Sequence, residues 1–343
     1  MKICFLTEFF HPSYGGQYSA IKFAIDICNL KKIKYVVIHK NSEEYRNKKK
    51  FEEIITECDI VHIFGGWTLF YVNASLYARK FKKRIIIHPM GYFEKWSLSQ
   101  KRIKKFLAWN IYQKKILLNA DLIHCASKNE ENSLKLLDKR LKTAILPFGI
   151  HKKKIKKMFK NNLNKKCLFF SRFHKKKGLD KLIEAWTDLS NPEWRLDIVG
   201  FGKQQFYKSL VKKKLNHNIK FFKPITSEKK KFKLFDKYDL LVLPSSNENF
   251  GIVILEALSR GLPVLTTNET PWSLIQDRNA GWIINDSFIE LKLVLNQIFN
   301  SSKRSFYIKK KNSIKLAKKF TIEELSKLYE KSYRNVYHEY KRT

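Results

Sequence analysis

Paired cysteines, long apolar runs and acidic side chains are scarce in this sequence, and each shortage closes off a class of protein. Five cysteines (Cys4, Cys28, Cys58, Cys125 and Cys167) are scattered, with no Cys-x2-Cys pair. An odd count in largely apolar settings argues against a disulfide framework or a cysteine metal site, and fits reduced thiols in a cytoplasm. No apolar run approaches about 18 residues, the length a membrane-spanning helix needs. The apolar start, residues 1–7, is broken at Glu8 and is too short for a signal peptide. Membrane contact is therefore expected to be peripheral. Asp and Glu number 31 against 69 Lys and Arg, a net charge of +38. Two readings of that excess stand side by side: a Lys-, Asn- and Ile-rich composition with no surface role, or a surface that attracts anionic lipid or another polyanion. A nucleic-acid-binding protein is a competing class. No basic-aromatic recognition motif supports it, and charge alone gives only nonspecific binding, so no specific nucleic acid is expected.

What is present is an alternation of apolar, β-rich runs with segments of helical period. Residues 2–7, 35–39, 60–64, 84–88, 122–126 and 143–146 read as strands, and the series restarts at 167–171, 195–199, 219–222, 240–243, 264–266 and 282–284. Helical spacing fills the gaps, as at 17–29 and 99–119. Such a series implies parallel sheets with right-handed crossovers. With 343 residues, two series imply two Rossmann-like, doubly wound domains. The break is expected at 151–165, a linker rich in lysine and without an acid, whose like charges disfavour a packed core. The domains are then 1–150 and 166–324. A last helical segment occupies 325–343.

Two loops concentrate chemistry. In residues 244–264, PSSNENFGIVILEALSRGLPV, a buried strand leads into a glycine turn and a helix ended by Gly261. Glu248 falls in the loop and Glu256 about one turn into the helix, whose N-terminus suits a phosphate. In an open α/β sheet, this edge is where ligands bind. Residues 171–179, SRFHKKKGL, also follow a strand and precede a helix. Gly15-Gly16 after the first strand lets a backbone approach a ligand closely, although a lone Gly-Gly is commonly only a turn. A basic segment, 99–119, carries Lys101, Arg102, Lys104, Lys105, Lys114 and Lys115 with apolar Ile103, Phe106, Leu107 and Ile111 on one face. It reads either as a surface helix with its stripe in the core or as an interfacial helix on anionic lipid.

The pair Glu248/Glu256, the glycine between them, Glu256-Ala257 and Gly261-x-Pro263-Val264 resemble the Glu-x7-Glu signature of retaining glycosyltransferases of the GT-B type, particularly glycosyltransferase family 4. The likeness is strong over 165–285 and diffuse over 1–150. It implies two Rossmann-like domains facing a cleft, with the final helix crossing back to the first domain. It implies a nucleotide-sugar donor, with Glu256 on the ribose hydroxyls, Glu248 on the sugar, and the backbone of Phe250, Gly251, Ile252 and Val253 at the diphosphate. Arg172 and Lys177 match the family's cationic pair, which would stabilise the leaving diphosphate more in the transition state than in the ground state. Gly15, Gly16, Gly200 and Ile225 fall where the family meets the donor, and His88 where it places a residue near the anomeric centre. Glu94, Trp96, His62 and Trp67 are acceptor-side candidates. Phe148 departs from the family, which commonly has Asn between Pro147 and Gly149. The function implied is retaining transfer of a sugar to a hydroxyl of a glycan or lipid-linked acceptor, in the cytoplasm or on the inner face of its membrane. Neither a metal nor a cofactor is needed if cations and helix dipoles carry the phosphate charge. A GT-B sugar-nucleotide epimerase is the nearer alternative.

Overall fold

The computed structural model describes residues 1–157, 162–189, 191–202, 204–213 and 218–341. The chain forms two compact units. The first takes Met1–Gly149 together with the C-terminal segment from Ile322, and the second takes Ile150–Thr321.

The first unit is built on six parallel strands, β1 (Lys2–Thr7), β2 (Lys34–His39), β3 (Ile60–Phe64), β4 (Arg84–His88), β5 (Leu122–Cys125) and β6 (Thr143–Ile145), in the order β2-β1-β3-β4-β5-β6. Branched and aromatic side chains fill these strands because both faces are buried. On one face Cys4, Leu6, Val61, Ile63, Ile85, Ile87, Ile123 and Cys125 join a single apolar cluster. The alternate residues, Phe5, His62, Phe64, His88 and His124, form a layer of rings on the other face. The helices Gly16–Leu30 and Ile322–Lys341 pack together, and Tyr329 and Tyr333 of the latter close on this layer. The Tyr329 hydroxyl donates to Leu146 O at 3.0 Å.

The second unit repeats the plan with β7 (Lys166–Phe170), β8 (Arg195–Val199), β9 (Ile219–Phe222), β10 (Leu240–Leu243), β11 (Val264–Thr267) and β12 (Gly281–Ile284), ordered β12-β11-β10-β7-β8-β9. The strand order reverses between β7 and β10, the switch point at whose carboxyl edge open α/β sheets bind ligands. The chain enters this unit at Ile150, whose N–H donates to Phe320 O at 2.8 Å just before the chain leaves it.

The twelve runs read as strands are thus the twelve strands of two parallel sheets, differing only at their ends. Residues 151–165 differ from the expected linker. Ile155 is buried, Lys156 N–H donates to Ser259 O at 2.9 Å, and Lys154 and Lys156 pair with Glu228 and Asp236. Residues 150–157 open the second unit, and the nearby acids Glu228 and Asp236 offset the lysine repulsion there. Residues 158–161 of that expected linker, and 342–343 of the expected last helix, lie outside the described residues. The final helix starts at Ile322, three residues before the expected boundary.

The basic segment differs too. It is divided into Lys95–Ser99, Arg102–Ala108, a π-turn Trp109–Gln113 and Lys114–Leu118. The wider π-turn shifts the phase of the spiral. Ile116 and Leu117 consequently enter the core, while Ile103 (78% exposed), Phe106 (67%), Leu107 and Ile111 (73%) face outward.

Candidate active site

The site of the second unit is assembled where β7 and β10 lie side by side. After β7 the chain makes a 3-10 turn, Lys175–Lys177, capped by the His174 ring, then turns left-handed at Gly178 (φ 65°) into the helix Leu179–Leu189. A Cβ on Gly178 would stand 2.2 Å from Pro244 O, so glycine is required for the two loops to touch. Ser246 N–H donates to Lys176 O at 2.9 Å and laces them together. The result is that the Lys177 ammonium pairs with the Glu248 carboxylate, both nearly buried, with Ser245 Oγ donating to the same carboxylate oxygen at 3.2 Å. In so dry a place the pair demands good geometry and saturated hydrogen bonding to offset its desolvation.

Glu256 lies on the helix Ile252–Ser259, 8% exposed. Its partner is Lys231 from the helix Glu228–Phe235. That lysine is not distinguishable in the sequence from its neighbours Lys229 and Lys230, and only the helix packing singles it out. The turn before Ile252 is held from outside. Gly251 takes φ 72°, Phe250 is buried, and the Trp272 indole N–H donates to Phe250 O. Thr266 Oγ1 donates to Leu243 O at 2.7 Å, fixing the exit of β10. The first-turn amides of Ile252 and Val253 therefore sit at a rigidly placed helix N-terminus, where no intrahelical acceptor exists for them.

Arg172 is exposed, and its charge acts with that of Lys176 to hold the His174 imidazole below its ordinary pKa, after the larger effect of burial. Gly200 is placed by packing, since a Cβ there would stand 1.8 Å from Ser171 O, beside the Arg172 loop. Ile225 is half-buried in the loop after β9.

In the first unit Gly15 precedes the helix Gly16–Leu30 at φ 57°, and both Gly15 and Gly16 are exposed, with open space where a Cβ would go. His88, at the end of β4, is 1% exposed and stacked between Phe64 and Phe148 at 5.3 and 5.0 Å. Burial pushes its imidazole down to about 3, so the ring is neutral. The expected role of that imidazole at the anomeric centre lacks the exposed ring it needs. Phe148, the residue that departs from the family pattern, is what covers it. His62 is likewise no rim residue. It is wholly buried in β3, because β-alternation turns it towards the C-terminal helix, where Nδ1 meets Tyr333 OH at 3.1 Å. Glu94 is 3% exposed and lies close to Glu130. Glu130 accepts Gly91 N–H at 2.6 Å and Ala126 N–H at 2.7 Å, and burial followed by the Glu94 charge pushes its carboxyl up to about 8. Trp67 is bonded on three sides. Its N–H meets Gln113, its indole donates to Tyr92 O, and its carbonyl accepts Tyr112 OH at 2.6 Å. Trp96 is half-buried.

Residues 151–320 match the family model described as Glycosyl transferases group 1. The match spans nearly the whole of the second unit, and the two six-stranded parallel sheets are those of the GT-B fold. The chain is similar to the lipopolysaccharide glucosyltransferase WaaG of Escherichia coli K12, 34% identical over 123 residues, 34% of this chain and 32% of that protein. It is 23% identical over 317 residues to the O-antigen biosynthesis glycosyltransferase WclY of Escherichia coli, covering 88% of this chain and 86% of that one. The chain thus spans about a third of the length of WaaG and most of the length of WclY. Among solved structures, Anabaena HepE in complex with UDP-glucose superposes with a TM-score of 0.76 at 18% identity, over 98% of this chain and 100% of that chain.

Proposed function

We propose that this protein is a retaining glycosyltransferase that moves a sugar from a nucleotide-sugar donor to a hydroxyl of a glycan or lipid-linked glycan, in the building of a lipopolysaccharide or related surface polysaccharide. The observation that carries the reading is the placement of two lysine–glutamate pairs, Lys177–Glu248 and Lys231–Glu256, on loops and helices of one sheet whose switch point is the ligand edge of its fold class. Glu256 accepts hydrogen bonds from the ribose, and Glu248 from hydroxyls of the sugar. Arg172, Lys177 and the amides at Ile252 and Val253 meet the diphosphate, whose charge grows as the glycosidic bond breaks. These groups carry that charge without a divalent ion. With no carboxylate assigned as nucleophile beneath the sugar, front-side displacement accounts for retention, the departing phosphate oxygen taking the acceptor's proton. WaaG and WclY, by their names, work on such glycans, which supports the acceptor class.

Peripheral attachment to the inner face of a membrane belongs to the same reading. Among the described residues no helix is long and apolar enough to cross a membrane. The outward row of Ile103, Phe106, Leu107 and Ile111 beside Lys101, Arg102 and Lys104 combines apolar anchors with cations suited to anionic lipid. The reading is tested by incubating the protein with nucleotide-sugars and a lipid-linked glycan and following the anomeric proton of the product. Retention supports it; inversion, or donor epimerisation without transfer, overturns it.

A further inference from the structure

We propose that His62, His88 and His124 form a buried site for one divalent transition-metal ion of the zinc type. They come from three neighbouring strands, β3, β4 and β5, and lie on one face of the first sheet, on the side where the C-terminal helix meets His62 and His124. Each can bring one ring nitrogen within 4.8 Å of the nitrogens of the other two. His124 is edge-on to both partners, with ring centroids 4.9 Å from His62 and 6.3 Å from His88. All three are essentially without solvent exposure. His62 Nε2, His124 Nδ1 and both nitrogens of His88 nevertheless have no hydrogen-bond partner among the described residues. A buried polar atom left unpaired costs about 1–3 kcal/mol, so four of them on three adjoining rings point to something shared between the rings. The other nitrogens are held. His62 Nδ1 lies 3.1 Å from Tyr333 OH and His124 Nε2 lies 2.9 Å from Ser332 Oγ. If those nitrogens donate to the hydroxyls, His62 Nε2 and His124 Nδ1 present lone pairs, the arrangement in which outer partners orient metal-bound imidazoles.

Neutral imidazoles suit zinc, cobalt, nickel or copper and are poor ligands for magnesium or calcium. Burial already holds all three rings neutral, so no proton has to leave for an ion to bind. Zinc–nitrogen bonds of about 2.0–2.1 Å in a tetrahedral set ask the rings to draw together by small side-chain rotations. The site is separate from the donor-binding residues of the second unit. It gives the His88 imidazole a structural role, which its burial fits.

The experiment uses full-length protein purified without a polyhistidine tag, then refolded with chelator or with one equivalent of Zn2+ or Co2+. The proposal expects about one ion per chain to survive gel filtration, a visible absorption band from Co2+ in a tetrahedral nitrogen site, and a higher melting temperature than the chelated form. His124→Phe should abolish the band. Ser332→Ala, which keeps all three ligands, should weaken Co2+ binding by about 10- to 100-fold. A water molecule bridging the rings is the competing occupant. Folded wild-type protein with no stoichiometric ion in any preparation, or His124→Phe binding as wild type does, would overturn the proposal. Should His124→Phe fail to fold, the wild-type titration and Ser332→Ala decide.

Discussion

At the scale of residues, the proposed function divides the site's labour between binding and chemistry, and the division is measurable. On that proposal Glu256, with its partner Lys231, addresses the ribose, which is the same in ground and transition states. Glu256→Ala should therefore raise the donor KM by roughly 10- to 100-fold, the value of a charge-assisted hydrogen bond or two, with a smaller effect on kcat. Lys231→Met should move KM the same way by less. The same proposal sets Arg172 against charge that develops as the bond breaks, so Arg172→Ala should lower kcat by about 10²–10³-fold. Steady-state kinetics on folded variants checks both. Lys231 could not be found in the sequence because its partner is 25 positions away and it sits in a lysine run that reads as a solvated face. Glycines and apolar runs marked the loops of Glu248, Glu256, Arg172 and Lys177 in the sequence, while the pairing of Lys177 with Glu248 emerged only from the fold. His62, an acceptor-side candidate in the sequence, is buried, and strict alternation along β3 already put it on the face of Phe64. Glu130 gives a pH dependence. Folded, its carboxyl keeps a proton up to about 8, whereas in the unfolded chain it loses that proton near 4.5. The folded state therefore binds the extra proton between those values, and its contribution to stability is lost as pH rises from about 4.5 through 8. The slope is on the order of 1 kcal/mol per pH unit. Denaturant unfolding across that range should show the decline, and Glu130→Gln should flatten it.

At the scale of elements, the site depends on backbone that only particular residues permit. Gly178 is both left-handed and pressed against Pro244 O, and through that contact Lys177 reaches Glu248. Gly178→Ala should destabilise the second unit by about 2–4 kcal/mol, combining left-handed strain with a forced loop shift. A variant with an unchanged denaturation midpoint would show the contact to be dispensable. The strands were readable because branched and aromatic runs of three to six residues recur between helical periods, a pattern with few other solutions. Over 99–119 the helical period was readable, but not the break within it. A π-turn inserts one residue into the spiral, and no side chain between Trp109 and Gln113 announces it. Ile103, Phe106, Leu107 and Ile111 face outward, so Phe106→Ser with Ile111→Ser should reduce flotation with anionic vesicles several-fold while leaving transfer to a soluble acceptor unchanged. Equal flotation of variant and wild type would remove this segment from the membrane surface.

At the scale of the whole molecule, two sheets follow the same plan, and most of the residues proposed to bind the nucleotide lie in the unit that matches the glycosyl transferases group 1 model. The net charge of +38 acts over the entire surface and says little about which anion is specific. The proposed function assigns specificity to the four paired side chains and Arg172. The central claim is that these groups bind a nucleotide-sugar, and the most direct test is a thermal melt with UDP-, GDP- and ADP-sugars, on wild type and on Glu256→Ala. A donor at 100 times its Kd adds about 2.7 kcal/mol to native stability, a shift of roughly 5–10 °C for a unit of this size. The account predicts such a shift with one base and its loss in Glu256→Ala. No shift with any nucleotide-sugar, or an equal shift in the variant, would contradict it.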